Sequence, residues 1–68
     1  MKIYSSWEDA PVMLNANELA ALLGISRSNA YVLMHSHGFP VLKIGARMLV
    51  PKRQLQKWIE MNTQNINT

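Results

Sequence analysis

Within nine residues the chain places Arg27, Ser28, Asn29, Tyr31, Val32 and His35, and further on come Lys43 and Arg47. The guanidinium, hydroxyl, amide and phenol groups of the first set can hydrogen-bond phosphate oxygens or base edges, and a valine methyl can meet a thymine methyl. That set contains no acid. An exposed polar helix face is by default only solvated; the combination with two cations on a following segment is what points to a polyanion. Catalysis finds less material. The four acids, Glu8, Asp9, Glu18 and Glu60, include one adjacent pair, in an irregular lead-in. No glycine-rich phosphate loop or nucleophile-base pattern accompanies them, so an enzyme is not expected. His35 and His37 form an HxH spacing, but on a helix those side chains point about 200° apart. No cysteine and no nearby acid completes a metal site, so neither metal nor cofactor is expected.

The elements that must carry these groups are readable from local signals. Asn15 followed by Glu18 has the shape of a capping box, and Leu19, Leu22 and Leu23 follow at helical spacing. A first helix is predicted over residues 16–23, ending at Gly24, which suits a left-handed cap. Only Ile25 separates that glycine from Ser26, a good N-cap for a second helix running to about residue 36. A link this short is that of a helix-turn-helix. On a wheel turning about 100° per residue, Ala30, Leu33 and Met34 gather on one side of the second helix. Ser28, Val32 and His35 lie opposite, flanked by Arg27, Asn29, Tyr31 and Ser36. Gly38 and Pro40 close this helix. The run VLKI-GA-RMLV then predicts a β-hairpin with Gly45 at the first position of a II′ turn, or a four-residue loop about the same centre. Lys43 and Arg47 sit on this hairpin, where a charge can also serve simply to protect an edge strand. Pro51 suits the start of a last helix with Leu55, Trp58 and Ile59 as its apolar stripe. Arg53 and Lys57, one turn apart on its outer face, are possible backbone contacts, although Lys57 can equally pair with Glu60.

Sixty-eight residues make at most one domain, with little room for an enclosed active site. Residues 1–12 read as an extended lead-in with Tyr4 and Trp7 as packing anchors, residues 13–62 as the domain, and residues 63–68 as a polar tail. No apolar stretch approaches the roughly 20 residues needed to cross a bilayer, and the N-terminus lacks the apolar core of a signal peptide. A cytoplasmic protein without membrane contact is expected. Seven Lys and Arg against four Asp and Glu give a net charge of +3, which favours polyanionic partners.

The segments LNANELAALLGISRSNAY, GFPVLKIGARMLVP and KRQLQKWI together resemble the excisionase-type, or MerR-like, winged-helix family. The resemblance covers about residues 13–59. It implies an α+β winged helix-turn-helix: a helix-turn-helix, a two-stranded β-hairpin wing and a C-terminal helix. It further implies a second helix in the major groove of double-stranded DNA and a wing against the flanking minor groove or backbone. The short extensions are most similar to small excisionases of conjugative transposons and phages, rather than to regulators with long dimerising helices. That implies a recombination directionality factor working with a tyrosine-type integrase and gaining strength by cooperative self-association on adjacent sites. A transcriptional regulator of a mobile element, or a protein-interaction adaptor that does not bind DNA, is the alternative. Where the family commonly has Arg or Lys, this chain has Val32, His35 and Ala46, which implies modest affinity.

Overall fold

The computed structural model of the chain describes residues 7–63. Tyr4 and the last part of the expected tail lie outside the described residues. In chain order a 3-10 turn, Trp7–Asp9, leads to strand β1 (Met13–Leu14), helix α1 (Ala16–Leu23) and helix α2 (Arg27–Met34). Strands β2 (Leu42–Ile44) and β3 (Arg47–Pro51) and helix α3 (Lys52–Thr63) complete it. Three helices and one antiparallel sheet, ordered β1-β3-β2, make the α+β winged helix-turn-helix. No helix among the described residues is long and apolar enough to cross a membrane.

Local chemistry sets the helix ends. The Asn15 side chain accepts from the Glu18 amide at 2.8 Å and the Glu18 carboxylate accepts from the Asn15 amide at 2.9 Å, which closes the capping box. Gly24 is left-handed (φ 70°, ψ 35°), and the Ile25 amide donates back to the Ala20 carbonyl at 3.0 Å. Ser26 then caps α2 by accepting from the Asn29 amide at 3.1 Å. The second helix is shorter than its sequence pattern predicts: it stops at Met34, not near residue 36. The Ser36 hydroxyl donates to the Val32 carbonyl at 3.0 Å, and the Ser36 amide turns to Leu33 instead, at 3.0 Å. A side chain thus takes the carbonyl that the next helical amide would use.

The hairpin has a two-residue turn, Gly45 and Ala46, between the pair Ile44 and Arg47. Gly45 has φ 60° and Ala46 does not have positive φ, the pattern of II′ rather than I′. β1 adds a third strand that local signals did not predict, pairing Met13 with Pro51 and Leu14 with Val50. Packing closes over Leu14, Leu19, Val50 and Leu55, all fully buried. Ala16, Ala20 and Ala30 join them where the helices come close, and Met34 and Phe39 fill the remaining space. Leu22, Leu23 and Leu33 are only half-buried against this centre. The Phe39 and Trp58 rings meet edge to face, with centroids 4.9 Å apart.

The lead-in also departs from the expected extended chain. Lys52 Nζ donates to the carbonyls of Trp7 (2.8 Å) and Ala10 (2.9 Å), and its amide donates to Val12 at 2.8 Å. The Trp7 carbonyl thus accepts from the Lys52 cation as well as from the Ala10 amide of the turn itself (3.2 Å), and the Ala10 carbonyl is the second acceptor. Lys52 fastens Trp7 and the buried Ala10 against the sheet. Lys52→Met keeps the side-chain stem and removes both bonds. Charge-assisted bonds of this kind contribute about 1.5–3 kcal/mol, so thermal unfolding should show a melting temperature lower by roughly 5 °C or more. An unchanged melting temperature would show that the latch adds nothing to stability.

Candidate nucleic-acid interface

α2 buries one side and shows the other. Ala30 and Met34 are buried and Leu33 is half-buried, whereas Arg27, Ser28, Asn29, Tyr31, Val32 and His35 are all exposed. His35 caps the helix as its first residue beyond the last turn. α2 has eight residues, and an α-helix with its side chains is about 10–12 Å across, which the roughly 12 Å wide major groove of B-DNA admits. Along Ser28, Val32 and His35 the exposed face carries no Lys, Arg, Asp or Glu, and its arginine stands at one edge.

That edge is organised. The Arg27 guanidinium carbon lies 5.5 Å from the centroid of the Tyr31 ring, and Arg27 Nη2 donates a long bond of 3.5 Å to the Tyr31 hydroxyl. The i, i+4 spacing places the two side chains one above the other. Tyr31 in turn shares a cleft with Ala46 and Arg47 of the hairpin and with Asn15 and Ala16 at the start of α1. Arg27, Tyr31 and Arg47 therefore run from the helix edge to the wing tip as one surface. Asn15 and Ala16 were not legible as neighbours of this surface, because only tertiary packing brings the capping box beside the wing.

The two wing cations do not act together. Antiparallel register pairs Lys43 with Met48 and Ile44 with Arg47. Cross-strand partners share a face and successive residues alternate, so Lys43 and Arg47 project from opposite faces of the hairpin. Arg53 and Lys57 are exposed one turn apart on α3, and neither lines the cleft that Tyr31 shares with the hairpin. His35 and His37 are both exposed, and among the described residues no three His, Cys, Asp or Glu gather where they could hold a metal ion.

A family model described as a helix-turn-helix domain matches residues 13–63, three quarters of the chain. The match spans every element from β1 to α3 and leaves the 3-10 turn held by Lys52 outside it. No curated protein and no solved structure matches the chain.

The Arg27–Tyr31 pair separates two ways of holding a cation. If the ring orders the guanidinium, Tyr31→Phe should keep DNA affinity within about twofold, because the hydroxyl bond is long. Tyr31→Ala should lose the stacking, about 0.5–1 kcal/mol at an exposed site, or roughly two- to fivefold in dissociation constant. Equal losses for both variants, measured by fluorescence anisotropy, would place the effect on the hydroxyl instead.

Proposed function

The chain belongs to the helix-turn-helix domain family, and from that premise we propose that this DNA-binding protein is an excisionase, a recombination directionality factor. It binds double-stranded DNA beside the attachment sites of an integrated element and shapes that DNA so that a tyrosine-type integrase assembles an excision complex. It carries out no bond chemistry itself, and its work is cytoplasmic. The observation that carries the DNA reading is the exposed acid-free face of α2 joined to the wing through Tyr31 and Arg47. The excisionase assignment is supported by the resemblance of the helix-turn-helix, wing and closing-helix segments.

The small surface dictates how such a protein must operate. Few cations face outward along it, so the electrostatic term is limited. Bending a site costs of order 1–6 kcal/mol, more than a single small domain with few contacts readily supplies. Neighbouring copies on adjacent sites, or contact with integrase, provide the remainder by raising effective concentration.

If about four phosphates are neutralised, the log-log salt slope should be about −3.6. The test is an anisotropy titration against the ends of the host element over a salt series, for wild type and Arg27→Ala, followed by an excision assay with integrase. Site-preferring binding weakened by Arg27→Ala, together with stimulated excision, is the expected result. Binding confined to promoter DNA without stimulation assigns transcriptional regulation. Flat curves at low salt sink the DNA reading and leave an adaptor.

A further inference from the structure

The hairpin carries a surface that phosphate contact does not use. No residue of β2 is buried: Leu42 is 45% and Ile44 55% exposed, with Lys43 between them also exposed. Register pairs Leu42 with Leu49 and Ile44 with Arg47, so these four side chains share one face. Met48, on the other face, packs against the core. The face of Ile44 and Arg47 therefore looks away from the core. At the tip only Gly45 and Ala46 intervene, so Ile44 and Arg47 are the first bulky groups that a surface reached by the wing would meet.

A lone exposed apolar residue is ordinary. Here two of three residues in an edge strand are apolar, on one face, with an arginine directly opposite the outermost. An isoleucine gains nothing from a phosphate; it contributes where it meets sugar edges and base stacks, which line a DNA minor groove. A second copy of the chain is the competing occupant. Pairing β2 with its counterpart would bring the Lys43 cations of both copies together, which opposes association. A polyanion has the complementary charge.

We propose that Ile44 is a minor-groove wedge. Arg47 draws the wing tip toward the duplex, and Ile44 enters between base pairs beside the segment that α2 reads. Partial unstacking there kinks the duplex toward its major groove, as apolar wedges do. The inference rests on the DNA-binding reading given above and adds to it the residue that deforms the site.

The test uses a dye-labelled duplex from the segment that the wild-type protein protects, with 2-aminopurine placed at successive steps flanking it. Wild type should raise the 2-aminopurine fluorescence at one step and bring the dyes closer. Ile44→Ala, at an exposed position where folding is expected to survive, should lose the fluorescence rise and most of the bend while keeping the salt slope. Ile44→Phe should restore both signals, and Arg27→Ala at saturating protein should retain them. Ile44→Ala that binds and bends as wild type overturns the wedge and leaves the DNA reading standing. So does sedimentation showing that Ile44→Ala turns a dimer of free protein into a monomer with the bend unchanged. Absence of any wild-type binding overturns the DNA reading and the wedge with it.

Discussion

Gly24, Ile25 and Ser26 must turn the chain from one helix into the next within three residues, and the direction in which α2 faces outward depends on how they do it. Gly24 takes a left-handed backbone that a residue with a Cβ adopts only with strain. Nothing lies within 4 Å of the place where a Cβ would sit, so the constraint there is conformational and not one of space. Ile25 anchors the turn from inside, donating its amide to Ala20 and packing its side chain against the core. Ser26 fixes it from outside through the Asn29 amide. Small side chains complete the corner: Ala20 and Ala30 are both buried where α1 and α2 approach. Short side chains at such contacts let helix axes come closer, and a larger residue at either position would tilt the exposed face of α2.

The rest of the molecule holds that corner still. Among the described residues four large side chains are fully buried, and a core of that size has little packing to spare. The chain recruits residues ahead of its family domain to extend it. Lys52, at the start of α3, reaches back to Trp7 and Ala10 across more than forty residues and brings β1 and the 3-10 turn onto the edge of β3. Phe39 covers the other end by meeting Trp58. Both contacts tie α3 to segments distant in the chain, so a helix that lines no part of the cleft between Tyr31 and the wing still helps to brace it.

What was legible in the sequence follows from range. The capping box of Asn15 and Glu18, the Gly24 cap, the Ser26 cap and the II′ turn at Gly45 are closed by groups three to five residues apart, and their residue types announce them. The end of α2 was blurred because Ser36 back-bonds to Val32, a choice between two local partners that composition does not decide. β1, the Lys52 latch and the Phe39–Trp58 contact were not legible, since each joins segments far apart in the chain. The wing is an intermediate case. Both loop lengths centred on Gly45 and Ala46 pair Lys43 with Met48, so the separation of Lys43 from Arg47 was implicit. Which face turns to the core became clear only from the packing of Met48.

The middle of the α2 face, which carries no Lys or Arg, bears on selectivity. Phosphate neutralisation raises affinity for every sequence alike, so a recognition helix lined with cations gains specific and non-specific binding together. Here Ser28, Val32 and His35 occupy the centre, and Arg27 stands at the edge, held by Tyr31. Fewer cations lower the non-specific term, which leaves a larger share of the binding free energy to contacts that distinguish bases and to the deformability of the site. Under the proposed function such an arrangement favours discrimination per contact over affinity per copy, and occupancy would come from several copies, or a protein partner, assembled on one stretch of DNA, where each bound neighbour raises the effective concentration of the next.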